Sequence, residues 1–205
     1  MKVQNTKLTT PIGVSQYAWL TKADTRFDPE GHFKTNLILS EKDAQPLMNM
    51  IDQEIDKSCK LAQEKHKGKK LKLSDPPYFE EVDDEGNSTG NFIFKFKTKA
   101  NITTKDGTVI PNRVAIFDSS GKPMVNANVW SGSEMKVSAE LIPYYTAMAG
   151  AGVSMRLRAV MITKLIEGGS DNAKGYGFEE EANGYVAPET INDIQETAEE
   201  QEADF

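Results

Sequence analysis

Three short runs of cationic side chains stand on separate parts of this chain. Lys95, Lys97 and Lys99 alternate with apolar and small residues in FKFKTK. Arg156 and Arg158 alternate in SMRLRA, and Lys65, Lys67, Lys69, Lys70 and Lys72 crowd KHKGKKLK. On an extended strand every second residue shares a face and stands roughly 6.6 Å from the next. Two such rows and a basic loop, brought together, would form a positive groove that follows a phosphate backbone. Taken singly, each run also suits a solvated loop or the wet face of a half-exposed strand. Flat side chains complete the set: Tyr17, Trp19, Trp130, Tyr144 and Tyr145. Stacking on an aromatic contributes about 1–3 kcal/mol per base and tolerates any base. Packing in the core or at its rim is the plain alternative, and for Trp19 both stay open. Tyr144 and Tyr145 follow Pro143 at the exit of a strand pattern and are expected to be exposed. The small residues of AMAGAG after them leave a backbone open to a ligand.

Covalent chemistry has no comparable footing. The two histidines, His32 and His66, have no Cys or His partner at metal-ligand spacing, and there is no GxxxxGK[ST] loop and no GxSxG turn. Asp83 and Asp84 fall in a polar turn, EVDDEGNSTG, that a solvated loop explains. The expectation is a protein without catalytic residues, metal or cofactor. No apolar run reaches the length of a membrane span, and MKVQNTKLTTPIG lacks the apolar core of a secretory signal. Cys59 is the single cysteine, which fits a reducing compartment.

The elements that must carry these side chains read mostly as strands. QYAWLTKAD (16–24) alternates, with Tyr17 and Trp19 expected on one side and Ala18 and Leu20 on the other. In GHFKTNLILS (31–40), Phe33, Thr35, Leu37 and Leu39 share a face, and DPEG before it is a turn. Residues 43–66 change period. Leu47, Ile51, Ile55 and Cys59 recur every four, with Met48 and Ala62 beside them, which predicts one amphipathic helix. Asp43 is the expected N-cap, which places Pro46 in the first turn. NFIFKFKTKANI (91–102) sets Phe92, Phe94 and Phe96 opposite its lysines, and TVIPNRVAIFDSSGKPM reads as one further strand and a glycine turn. SEMKVSAELIPYY turns Met135, Val137, Ala139 and Leu141 inward. GVSMRLRAVMITKL (152–165) is expected to turn Val153, Met155, Leu157, Ala159 and Met161 inward, with Arg156 and Arg158 outward.

Five to seven short strands with one inserted helix predict a mainly β fold, a small barrel or a sandwich. A strongly bent barrel with a helix between strands is the five-stranded Greek-key type that binds oligonucleotides or oligosaccharides, the OB-fold, and this is the type expected. The core is expected over residues 1–166, with a flexible linker over 167–177. Residues 178–205 are expected to be a disordered acidic tail: they hold ten acidic side chains and no Lys or Arg, with few large apolar residues. The whole chain carries −7, yet residues 1–177 set 24 basic against 21 acidic side chains, a net +3. A basic body with an acidic tail suggests a nucleic-acid surface or an interaction arm.

Four stretches, in this order, resemble the single-stranded DNA-binding protein of short-tailed lytic bacteriophages of the autographivirus type. They are YAWLTKAD; GKKLKL with PPYF and FIFKFK; FDSSGKPM with GSEMKVSAELIPYY and AGAGVSMRLRAVMITKL; and GYGFEEEANGYVAPE with the closing EADF. The resemblance covers nearly the whole chain. It implies an OB-fold core and sequence-independent binding of single-stranded DNA. It further implies annealing of complementary strands, roles in DNA replication, recombination and repair, a homodimer, and residence in the cytoplasm of the infected bacterium. It also implies a tail that docks on the phage DNA polymerase and helicase-primase. Tyr144 matches the tyrosine of the family's proline-tyrosine motif, Lys95 and Lys97 match its FKFK lysines, and Phe205 matches its terminal aromatic. Tyr145 stands where a relative has a basic residue, and the acidic tail is shorter and less densely charged.

The tail also has a physical reading. The residues from Gly168 to Phe205 would span roughly 30–35 Å as a flexible coil, against a radius of gyration near 15 Å for the body. Tethering then holds its carboxylates near the basic surface at an effective concentration of about a millimolar. Tail and DNA are expected to compete for one groove, and Asp204 and Phe205 to anchor on a partner, an aromatic ring beside a free carboxylate. The alternative is a non-catalytic structural or assembly protein whose acidic tail serves solubility.

Overall fold

The computed structural model describes residues 5–66, 71–125 and 127–167. Ten strands and one helix follow in order: β1 (Thr6–Thr9), β2 (Gly13–Asp24), β3 (His32–Ser40), α1 (Glu41–Lys65), β4 (Tyr78–Val82), β5 (Ser88–Lys99), β6 (Asn101–Thr103), β7 (Val109–Pro111), β8 (Ala115–Phe117), β9 (Glu134–Thr146) and β10 (Gly150–Lys164). The acidic segment and the expected linker, Glu167 apart, lie outside the described residues, as do Lys69, Lys70, Asp204 and Phe205.

Five of the strands close on themselves. β2 pairs antiparallel with β3, β3 antiparallel with β5, β5 parallel with β10, β10 antiparallel with β9, and β9 antiparallel with β2. That circuit is the Greek-key barrel of the OB-fold. The parallel join is narrow: only Phe96↔Met155 and Lys97↔Arg156 pair across it, as few as join β9 to β2 through Gly13↔Met135 and Val14↔Glu134. Beyond it the free edge of β5 takes β4 instead. β1 extends β9, β8 extends β10, and β6 with β7 forms a separate hairpin.

Alternation builds the interior. Phe33, Thr35, Leu37 and Leu39 of β3, Phe94 and Phe96 of β5, and Met135, Val137, Ala139 and Leu141 of β9 are all buried. The helix seals one end, packing on β3, β5, β9 and β10 through Leu47, Met48, Ile51 and Ile55. Burying a side chain such as Ile51 contributes about 1.5–3 kcal/mol.

Several expectations need correction. The helix begins earlier than expected, because Ser40 is its N-cap: its Oγ accepts from the Asp43 backbone N at 3.3 Å. Pro46 therefore lies inside the helix, on its exposed side, where the Lys42 carbonyl it orphans meets water. Farther along, Ser58 is buried and Cys59 only partly so, since a period of 3.6 outruns a strict four-residue count.

The alternation of β2 breaks at Tyr17. Gln16 pairs with Asn36 but Trp19 with Lys34, so one extra residue is inserted, and Tyr17 takes φ 51. Tyr17 and Trp19 thus do not share a face by simple alternation. β10 slips in the same way between Leu157 and Ala159. Val160 and Ile162 are buried after the slip, whereas Ala159 and Met161, expected inward, are only half-buried. The run TVIPNRVAIF is two short strands, β7 and β8, rather than one.

Candidate nucleic-acid interface

The outer face of the barrel gathers charge through strand register. Trp19 pairs with Lys34, Lys34 with Lys97, and Lys97 with Arg156, one row across four strands. Neighbouring strands lie about 4.8 Å apart, so three cations fall on successive strands. Two unit charges 5 Å apart in water repel by about 0.8 kcal/mol, and like charges directly opposite destabilise a sheet. The fold offsets the outer two. Asp24 holds Lys34 at 2.6 Å, and Glu140 stands 3.8 Å from Arg156 and 3.6 Å from Arg158. Lys97, in the middle, has no carboxylate partner among the described residues.

Of the other cations named from the sequence, Lys99 pairs with Glu30 at 3.1 Å, and Lys95 places its Nζ 4.4 Å from the centre of the Phe79 ring. Lys97, Lys99, Arg156 and Arg158 line one open recess of about 530 Å³, with His32 and Asn112 at its rim. Lys72 stands apart from this recess. Its carbonyl accepts from the Ala151 backbone N at 2.9 Å, which docks the segment around Leu73 on the start of β10.

Tyr144 and Tyr145 are half-buried rather than exposed. The Tyr144 hydroxyl shares a 2.7 Å hydrogen bond with Ser74, and the Tyr145 ring lies 4.7 Å from that of His66, the C-cap of the helix. The glycine-rich backbone beside them is not open to a ligand, because Lys72–Ser74 occupies that approach. Tyr144 nevertheless reaches across Gly152, which lies on the same side of β10 as Ser154 and Arg156. It therefore extends the cationic face by roughly 13 Å along the strand.

Asp24 organises the opposite end. Its buried carboxylate accepts from the Arg26 backbone N, Nε and Nη2 at 3.1, 3.0 and 3.2 Å, and from Lys34. The Arg26 bonds first, then Lys34, hold its carboxyl well below the usual carboxylate range. So fixed, the Arg26 guanidinium sits 4.8 Å from the centre of the Trp19 ring, and Lys34 lies 5.9 Å from that of Phe27. Phe27 is 90% exposed. Nothing in the fold requires it there.

Tyr17, Trp19, Arg26, Asn128, Trp130 and Ser131 line a second recess of about 420 Å³. Tyr17 is the one non-glycine residue with positive φ among those described, a conformation that costs on the order of 1–3 kcal/mol. It persists because the Tyr17 backbone N donates to Ser131 Oγ at 2.9 Å.

Ligands of OB-folds bind across the second and third barrel strands and the loops joining strands one to two and four to five. Here those are β3, β5 and the loops after Asp24 and after Thr146. Arg26 and Phe27 occupy the first loop, and Met148, 89% exposed, tips the second. Sequence reasoning missed all three, and Lys34 as well. Only Lys34 left a signal, its outward position between Phe33 and Thr35.

A closed Greek-key barrel with a cationic, aromatic-flanked face across these strands defines an oligonucleotide-binding module. The family model described as the single-stranded DNA-binding protein of bacteriophage T7 matches residues 12–165. The chain belongs to this family of phage single-stranded DNA-binding proteins. The crystal structure of gp2.5, the single-stranded DNA-binding protein encoded by bacteriophage T7, is similar with a TM-score of 0.70 at 28% identity. The match covers 90% of this chain and 100% of that one. The single-stranded DNA-binding protein of bacteriophage Enc34, in complex with ssDNA, shares the fold with a TM-score of 0.58 at 14% identity, covering 78% and 88% of the two chains. Without DNA it matches with a TM-score of 0.56 at 12% identity, covering 84% and 90%. No curated protein matches the sequence. No helix among the described residues is long and apolar enough to cross a membrane.

Proposed function

We propose that the chain binds single-stranded DNA without regard to base sequence, along the row Trp19–Lys34–Lys97–Arg156, as a non-catalytic protein of phage DNA replication, recombination, repair and strand annealing. The register that stacks Lys34, Lys97 and Arg156 on adjacent strands carries the reading. It holds three cations closer together than a fold needs, and Lys97 has no carboxylate partner among the described residues. Lys95, Lys99 and Arg158 widen the phosphate path, Trp19 offers a face for a base, and Tyr144 prolongs the path toward Lys72.

The acidic residues 178–205 compete with DNA for this face and, through Asp204 and Phe205, engage the phage DNA polymerase and helicase-primase. The linker over 167–177 lets them reach both. The protein acts as a homodimer in the cytoplasm of the infected bacterium. These statements rest on the charge asymmetry of the chain and on its family.

The experiment is a binding titration against oligo-dT and against a duplex of equal length over a range of salt. Affinity for the single strand should exceed that for the duplex, and log K should fall with log[salt] by about 0.7 per phosphate contacted. Equal affinity for both, or no salt dependence, removes the reading and favours an assembly protein.

A further inference from the structure

We propose that the recess between Tyr17 and Trp130 takes one nucleobase of a bound strand, turned out of the phosphate path. The inference rests on the function proposed above and adds to it a discrete site for a base.

Three observations carry it. The first is the recess itself. At about 420 Å³ it lies toward the small end of ligand sites, about 300–1,000 Å³, so it suits a single base rather than a length of chain. Aromatic side chains from two segments line it: Tyr17 and Trp19 from β2, and Trp130 from the loop before β9. A flat π ligand between such walls has stacking partners whatever its identity.

The second is that the walls are built in place. The Trp130 backbone N donates to the Ile166 carbonyl at 3.0 Å, and its indole Nε1 donates to Asn128 Oδ1 at 3.0 Å. Tyr17 is held in a left-handed conformation by Ser131. Both side chains stay open to solvent, Tyr17 at 63% and Trp130 at 45% exposed, although each is large and largely apolar. A core has no use for a strained, exposed tyrosine; a platform does. With Asn128 Oδ1 engaged, its amide N–H groups remain as donors, as does the Ser131 hydroxyl. Every nucleobase carries an acceptor that can meet them.

The third is continuity. Trp19 belongs both to this recess and to the cationic row, where it pairs with Lys34. Arg26, capping the Trp19 ring, stands at the junction as a phosphate partner. A strand running along the row meets the recess at Trp19.

The test separates base from backbone. Oligo-dT is compared with an abasic oligomer of equal length, which keeps the phosphates and removes the bases, on the unaltered full chain and on Tyr17→Asn and Trp130→Ala. Asparagine tolerates left-handed backbone, so Tyr17→Asn should keep or raise Tm. Either variant should lose about 5- to 150-fold in affinity for oligo-dT, and neither should lose affinity for the abasic oligomer or change its salt slope. If Tyr17→Asn fails to fold, Trp130→Ala gives the same reading. Equal losses on both oligomers, or no loss on oligo-dT, overturn the base site while leaving the phosphate path standing. An unaltered chain that binds neither oligomer overturns the function beneath it.

Discussion

The end of the Tyr144 side chain lies directly over Gly152. A Cβ at Gly152 would stand 2.8 Å from Tyr144 Oη, 2.9 Å from its Cζ and 2.8 Å from Ser74 Cβ. Gly152→Ala should therefore destabilise the protein by about 1–3 kcal/mol through overpacking and displace the ring from the face it extends. Thermal unfolding should show a lowered Tm, and oligo-dT titration a several-fold weaker affinity. Tyr144→Phe, which keeps the ring and loses only the Ser74 bond, should retain affinity; if it loses as much as Gly152→Ala, the hydroxyl and not the ring matters.

Within the row Lys34–Lys97–Arg156, Lys97 is the one cation without a carboxylate partner among the described residues. Lys97→Ala should lower the salt slope of single-strand binding by about 0.7, one phosphate contact, and should not lower Tm, because it relieves repulsion from Lys34 and Arg156. Glu140→Gln should raise affinity, by freeing Arg156 and Arg158 from their shared carboxylate. A Lys97→Ala protein with an unaltered slope would place the phosphate path elsewhere.

Asp24 should make part of the stability depend on acid. Its carboxyl titrates lower in the folded protein than in the unfolded chain, where the ordinary value is 3.8. The stabilisation is thus present in full above that ordinary range and is lost as pH falls through it toward the folded value. Asp83, Asp106 and Asp118, lowered by hydrogen bonds within their turns, act in the same direction. Asp24→Asn should flatten the loss of Tm below about pH 4 without abolishing it. It should also release Arg26 from the Trp19 ring, which tryptophan emission would report at neutral pH.

Removing residues 178–205 takes away ten carboxylates and no cation. Affinity for oligo-dT should rise, most at low salt, and the full-length and shortened chains should converge as salt screens the competition. Unchanged affinity at low salt would exclude competition by this segment.

How much of this was legible in the sequence follows from the range of the signals. Alternation is local, so the inward sets of β3, β5 and β9 and the outward Lys95, Lys97 and Lys99 could be read directly; their number and spacing left a small barrel or a sandwich, and the family resemblance pointed to the OB-fold. Slips in register are not local. The extra residue at Tyr17 and the one near Arg158 depend on how β2 and β10 meet their neighbours, and a strict count of two misplaced Ala159 and Met161. Lys34 was overlooked for the same reason, since its place beside Lys97 is a fact of pairing between strands. Tyr144 and Tyr145 were expected free after a proline, but partners distant in sequence, Ser74 and His66, claim them. Asp24 carries no signal at all until Arg26 and Lys34 close on it.

The two-pair parallel join between β5 and β10 sits beneath Lys97 and Arg156, so one of the barrel's two least-stitched seams coincides with its cationic stripe. A sugar-phosphate chain laid over them acts as a suture: occupancy and closure of the cylinder become one event, and amide protons of Phe96 and Met155 should exchange more slowly once it is in place.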